Sequence, residues 1–147
     1  MKSLFETEAK SEIEERLSNL TPVSQPQWGK MDVSQMLHHC QLPLEIVTTE
    51  KHDHLKPNFL AKLLFKKSLY SDKPWRKNLP TIPSFRITSS KNFDKEKNAL
   101  KELINSFYLL KDKNAIKPHP ILGDFTKEQW GKMQYKHLDH HFNQFGV

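Results

Sequence analysis

Residues 130–144 read Trp130-Gly-Lys-Met-Gln-Tyr-Lys-His-Leu-Asp-His-His-Phe-Asn-Gln144 and hold three of the chain's eight histidines. An α-helix turns about 100° per residue, so residues four apart share a face. His137 and His141 therefore point the same way, one turn apart, on the side that also carries Trp130. This spacing lets two imidazoles reach one metal ion, although a solvated amphipathic helix also explains a lone His-x-x-x-His pattern.

A second segment places one more histidine on an apolar face. Asp32 and Gln35 form a capping box, which predicts a helix from there to about residue 49. Within this helix His39 falls on the apolar stripe and His38 points to the opposite side, so only one of them faces a core. Taken alone, His39 is better explained as a core histidine hydrogen-bonded to a neighbour. If this helix lies beside the last one, the three histidines converge.

The other helices are predicted from caps, apolar spacing and prolines. Ser3 and Glu6 form a capping box at the start of the first helix, and Thr126 with Gln129 forms one at the start of the last. The helices predicted in this way span residues 3–20, 32–49, 58–70, 92–112 and 126–145. The prolines between 71 and 90 predict a long irregular connection, of the kind that often covers a site. The four long helices predict an all-α four-helix bundle, with the short 58–70 helix and this connection between the second and third.

The composition indicates one folded domain that spans residues 1–147, of which 36% are hydrophobic and 27% charged. The first residues lack the apolar core of a signal peptide, no apolar run reaches membrane-spanning length and Cys40 is the single cysteine, so we expect a cytoplasmic protein without a membrane partner. Its net charge of +6 comes without a recognisable nucleic-acid-binding element. We therefore expect no nucleic-acid partner, and a basic surface that attracts an anionic substrate.

Two segments resemble the DinB/YfiT-like superfamily of metalloenzymes. Trp28-Gly-Lys-Met-Asp-Val-Ser-Gln-Met-Leu-His-His-Cys40 is similar to the superfamily's tryptophan-anchored approach to a helix-borne histidine. His137-Leu-Asp-His-His141-Phe-Asn-Gln144 is similar to its closing His-x-x-x-His followed by glutamine. The segment His119-Pro-Ile-Leu-Gly-Asp-Phe-Thr-Lys-Glu-Gln-Trp130 resembles more specifically an uncharacterised branch of the superfamily. The order of these motifs suits the whole chain, whereas Pro43, inside the helix that carries His39, departs from the pattern.

The resemblance implies an up-and-down four-helix bundle with a divalent metal ion, Zn, Ni or Fe, held by three histidines. Carried over position by position, these are His39, His137 and His141, since helical phase selects the second member of each doubled pair. Characterised members imply a metal-dependent hydrolase or thiol S-transferase, whose partner is a small-molecule substrate or a thiol. The assembly is left open, with a homodimer as one expectation.

His140, at the edge of the stripe, is the candidate catalytic proton shuttle, because no carboxylate stands out as a general base. Asp139 lies on the wrong side of its helix for that role. Cys40 is expected to be a small core residue outside the coordination sphere. The alternative function is a non-catalytic helical bundle that binds metal or another protein.

Overall fold

The computed structural model describes all 147 residues and contains five α-helices and no strands. The helices are α1 (Thr7–Asn19), α2 (Val33–Thr48), α3 (Phe59–Tyr70), α4 (Phe93–Leu109) and α5 (Lys127–Gln144). The expected all-α fold is thus confirmed, and the five α-helices correspond to the four long helices and the short 58–70 helix predicted from the sequence. None of these helices combines the length and apolarity that crossing a membrane requires.

Four of the helices surround the core. Helix α2 packs against α4 and α5, and α1 packs against the same two helices, so the four close a ring. Helix α3 lies outside this ring against α5. Trp130, Phe107 and Phe142 are the largest side chains that the ring buries completely. Their removal from water supplies much of the free energy that holds the helices together.

The predicted capping boxes of α2 and α5 are both present. Asp32 accepts a hydrogen bond from the backbone N–H of Gln35, whose side chain accepts one from the backbone N–H of Asp32. Thr126 and Gln129 make the same reciprocal pair at the start of α5. Because a cap fixes the first residue of a helix, it also fixes which later residues face the core.

The first helix begins later than predicted. Helix α1 starts at Thr7, its N-cap Glu6 makes no side-chain cap, and Ser3 lies in a turn before it. The reason is the neighbouring Leu4, whose side chain is fully buried and whose N–H donates to the carbonyl of Gly131 at 3.0 Å. Burying this leucine in the core outweighs the local preference for a capping box.

Helix α2 is covered also on the side of His38, opposite the stripe that was predicted to face the core. His38 Nδ1 lies 2.8 Å from Glu96 Oε2, and Gln41 Nε2 donates to the same oxygen at 2.7 Å. Burial by itself would raise the pKa of Glu96, but the hydrogen bonds from His38 and Gln41 hold it below its usual value. The polar side of α2 is therefore an interface with α4, and His38 serves packing between the helices.

His119 closes the loop that leads into α5. Its backbone exchanges hydrogen bonds with Gly123 at 3.0 and 2.8 Å, and its Nδ1 accepts from the backbone N–H groups of Ile121 and Leu122. The ring stacks on Trp130 with the centroids 5.8 Å apart. Burial, with a smaller contribution from the Lys66 charge, lowers the pKa of His119 to about 4.

This shift predicts a pH-dependent stability that His119→Asn removes. In the unfolded chain His119 takes up a proton once the pH falls below its ordinary pKa of 6.5. In the folded chain it does so only when the pH falls below its lowered pKa of about 4. The neutral His119 ring therefore makes its full contribution to stability above pH 6.5. This contribution, about 3 kcal/mol in the free energy of unfolding, is lost as the pH falls towards 4. Asparagine keeps an acceptor for the two N–H groups and does not titrate. Urea unfolding between pH 4 and 7 should show that the free energy of unfolding falls less with pH in the variant than in the wild type. An equal fall in the two proteins would contradict the assignment to His119.

Candidate metal centre

Three buried histidines meet between α2 and α5, which pack against each other as the sequence analysis required. One nitrogen from each of His39, His137 and His141 lies within 4.8 Å of the other two. The Nε2 atoms of His39 and His137 are 3.3 Å apart. The three rings are only 6–8% exposed to solvent. They are thus close enough together to hold a metal ion.

A backbone carbonyl orients His39. Its Nδ1 lies 3.0 Å from the carbonyl oxygen of Phe85, which can only accept, so Nδ1 carries the proton. Phe85 ends the short 3₁₀ turn Pro83–Phe85. The lone pair of His39 is thereby left on Nε2, the atom that faces His137.

A glutamine orients His141 in the same way. The Nε2 amide of Gln144 donates to the carbonyl of Trp28 at 2.6 Å, which turns its Oε1 towards His141. This oxygen lies 2.9 Å from His141 Nδ1 and accepts a hydrogen bond from its N–H. The lone pair of His141 is therefore on Nε2, which is free to bind a metal ion.

Gly29 makes this arrangement fit. Its φ is +86°, a conformation that residues with a side chain rarely adopt. A Cβ placed on it would lie 2.4 Å from the Gln144 amide nitrogen. Any larger residue would push the glutamine away from Trp28 and His141. The Trp28-Gly29 pair thus serves the cluster through Gln144.

His137 is the ring that the protein leaves unsatisfied. Its Nδ1 is buried without a hydrogen-bond partner, and its Nε2 faces only the Nε2 of His39. A buried polar atom without a partner is uncommon, since each costs about 1–3 kcal/mol. Neither nitrogen of His137 is committed to a protein oxygen, so the ring is free to serve a ligand.

Burial keeps the cluster neutral. Desolvation lowers the pKa of His39 and of His137, and the neighbouring histidines lower both further. Burial lowers the pKa of His141 to about 3, with a contribution from His39. All three rings are therefore neutral near pH 7, each with one N–H and one lone pair, and the neutral ring is the form that binds metal.

His140 lies beside the cluster between two tryptophans. Its ring centroid is 5.2 Å from His141, 5.6 Å from Trp75 and 5.9 Å from Trp28. Trp75 also packs edge-on against His137 at 6.0 Å. Burial lowers the pKa of His140, so this ring too is neutral near pH 7. The tryptophans cover the side of the cluster where His140 lies.

The other candidates from the sequence lie outside the cluster. Asp139 pairs with Arg16 at 2.7 Å, which fits its predicted place away from the stripe. Cys40 is fully buried, and burial raises the pKa of its thiol, as expected for a core residue. His52, another histidine outside the cluster, lies with its Nε2 3.0 Å from Glu45 Oε2.

The supporting groups of the cluster were not predicted from the sequence. Phe85 acts through a backbone carbonyl, which every residue possesses, so no pattern could single it out. Trp28 and Gln144 were quoted in the motifs without their roles. Their pairing across 116 positions follows from the fold alone.

Removal of the Gln144 amide should weaken metal binding while leaving the three ligands in place. Loss of such supporting partners typically costs about 10–100-fold in metal affinity. Gln144→Ala is expected to fall in this range in a competition titration with a chromophoric chelator. Gln25→Ala, an exposed loop change, is the matched control. Equal affinities for the two variants would show that Gln144 does not support the site.

Comparisons with known proteins identify one family. A family model described as "Protein of unknown function (DUF1569)" matches residues 3–146, nearly the whole chain. No curated protein and no solved structure matches this chain.

Proposed function

The chain belongs to the DUF1569 family, and we propose that it is a metal-dependent enzyme of the DinB/YfiT-like type with His39, His137 and His141 as its metal ligands. The observation that carries this proposal is the meeting of three buried, neutral imidazoles. Two nitrogens on one tetrahedral ion, each bonded at about 2.1 Å, lie about 3.4 Å apart. The 3.3 Å between His39 Nε2 and His137 Nε2 fits this separation.

The ligand set indicates a class of metal ion. Imidazole nitrogens suit Zn, Ni and Fe, whereas Mg and Ca prefer oxygen ligands. Three neutral ligands leave such an ion its double charge and an open position, so that it lowers the pKa of a bound water or thiol and polarises a substrate oxygen. This chemistry supports a hydrolase or a thiol S-transferase acting on a small molecule.

The residues around the cluster have separate roles in this proposal. His140, neutral and 5.2 Å from His141, is positioned to take up a proton and return it. Trp28 and Trp75 exclude water from the rings that they contact.

Helix α5 also holds the segment that carries Trp75. Lys136 Nζ donates to the carbonyls of Ser68 and Ser71 at 2.7 and 2.8 Å and lies 5.3 Å from the Trp75 ring. The exposed cations that flank this tryptophan are expected to attract an anionic substrate, and they are Lys73, Arg76 and Lys77.

The second candidate function is a non-catalytic metal-binding bundle. The observation in its favour is the depth of the cluster, whose histidines are 6–8% exposed and of which His137 is also covered by Trp75. A metal ion enclosed so deeply would be hard for a substrate to reach, although three histidines are one ligand fewer than the four of a complete structural site. Turnover by the metal-loaded protein decides between the two functions.

Metal analysis followed by thermal unfolding tests the proposal. One divalent ion per chain is expected, and a chelator should lower the melting temperature by about 5–10 °C, the effect of a ligand near 100 times its Kd on a domain of this size. The helices have their own buried stripes, so the metal-free chain should stay folded by circular dichroism.

The metal-loaded protein is then assayed against panels of esters, amides and thiol acceptors. Turnover that is lost with the metal supports the enzyme. Absence of turnover across both panels favours the non-catalytic bundle. Protein that takes up no divalent ion from an excess would contradict both functions.

A further inference from the structure

Helix α3 presents an apolar face to solvent. None of its residues is buried, and five apolar side chains are 58–76% exposed, namely Phe59, Leu60, Leu63, Leu64 and Phe65. Four of these lie at positions 59, 60, 63 and 64, a spacing that places them on one side of the helix. We call these four residues the α3 face. A contiguous apolar surface of this kind marks a site of interaction.

The opposite side of α3 anchors the helix to the rest of the protein. Ala61 and Leu69 pack against the core on that side, and Tyr70, in the last turn, meets Phe125 edge-on at 6.1 Å. The first turn is held by the N–H of Asn58, which donates to the carbonyl of Ile121. The α3 face is therefore presented by a helix fixed at both ends.

The charge of α3 itself and of its flanking residues has one sign. No acidic residue occurs between Asp53 and Asp72, and this interval contains four lysines, at positions 56, 62, 66 and 67. Three of them border a shallow depression of about 280 Å³ together with Phe59, Leu63 and Tyr70. Lysines beside exposed leucine and phenylalanine are typical of a helix that lies in the surface of an anionic membrane.

A second copy of the chain fits this surface less well. Pairing two α3 faces would bring lysines of both copies together, with no acid in the helix to neutralise them. A protein partner would need a groove to receive a protruding helix, whereas a fluid lipid interface needs none.

We propose that the α3 face docks onto a membrane surface rich in acidic phospholipids. Its apolar side chains enter the interface, and the exposed Lys62 and Lys67 lie among the anionic headgroups, while Lys66 donates to the carbonyl of Asp124. The expectation of no membrane partner rested on the lack of a spanning segment, which a helix lying flat does not need. This inference is independent of the metal site.

Cosedimentation with vesicles tests the electrostatic part. The full chain should bind vesicles of equal parts phosphatidylcholine and phosphatidylserine, and should not bind phosphatidylcholine alone. Each lysine near such a surface contributes about fivefold to binding, so Lys62→Gln/Lys67→Gln should bind about 25-fold more weakly. Lys95→Gln/Lys101→Gln makes the same charge change on exposed positions of α4 and should bind nearly as wild type.

The apolar part is tested by Leu60→Gln/Leu63→Gln. Loss of two leucines from the interface should weaken vesicle binding by roughly tenfold or more. Val23→Gln/Leu109→Gln replaces two equally exposed apolar residues elsewhere and should leave binding unchanged. Circular dichroism checks that all variants keep their helices.

Several results would overturn the proposal. Equal losses for the two lysine pairs would show adsorption by net charge alone, and unchanged binding by the leucine variant would exclude insertion of the α3 face. A wild-type dimer that Leu60→Gln/Leu63→Gln converts to a monomer in sedimentation velocity would assign the face to a second copy. Failure of the wild-type chain to bind acidic vesicles would reject the membrane as the partner of the α3 face. An acidic protein would then be the alternative partner.

Discussion

His137→Ala is expected to abolish stoichiometric metal binding, and His39→Ala is expected to do the same. Each variant leaves two ligands, and a site of two neutral imidazoles binds divalent ions far more weakly than a site of three. The loss should exceed the roughly 100-fold effect of removing a supporting group. The test is the metal content per chain after dialysis, measured by inductively coupled plasma mass spectrometry.

Two other histidines serve as controls for this prediction. His54→Ala changes an exposed loop residue and should keep both metal and stability. His38→Ala should keep its metal but lose stability, because the buried carboxylate of Glu96 then loses one of its two side-chain partners. Wild-type metal content in His39→Ala would remove the proposal of three histidine ligands.

Gly131→Ala is expected to destabilise the protein by about 1–3 kcal/mol, the range for overpacked cores. The same exchange inside an ordinary helix stabilises by about 0.5–1 kcal/mol, so the sign of the effect is diagnostic. A Cβ at this position would lie 2.0 Å from Ser3 Oγ and 2.9 Å from Phe5 Cδ2. Phe5 cannot easily withdraw, since its ring stacks on Phe107 at 4.5 Å. Urea unfolding measures the difference.

A compensating change separates this clash from other effects. Ser3→Gly combined with Gly131→Ala removes the nearest obstacle and should recover part of the loss. Ser106→Ala, on the exposed side of α4, should change stability by less than about 0.5 kcal/mol. A stable Gly131→Ala protein would show that the segment before α1 does not pack against α5 as described.

The helices that carry the cluster were predictable because their causes are local. The capping boxes at Asp32 and Thr126 depend on residues three positions apart, and both are present. Once these caps fix the phase, the spacing of 3.6 residues per turn separates His39 from His38 and pairs His137 with His141. Helical phase therefore placed these histidines on inward faces, and the resemblance to the DinB/YfiT-like superfamily indicated them as ligands.

Other features were decided by contacts between distant segments. Leu4 is buried against α5, so the turn before α1 replaced the capping box predicted at Ser3. Helix α4 covers the polar side of α2, where Glu96 receives His38. The capping box predicted at Ser3 was therefore wrong, and the pairing of His38 with Glu96 depends on a helix more than fifty residues away.

The sequence by itself determined that the chain is helical and which histidines face inward, because hydrogen bonding within a helix and its periodicity are properties of neighbouring residues. Only the tertiary structure decided that α2 lies beside α5, that Phe85 and Gln144 orient two of the rings, and that α3 leaves its apolar side uncovered. These features depend on backbone carbonyls and on surfaces brought together from far along the chain. Their energies arise only when the helices pack, so no local pattern encodes them.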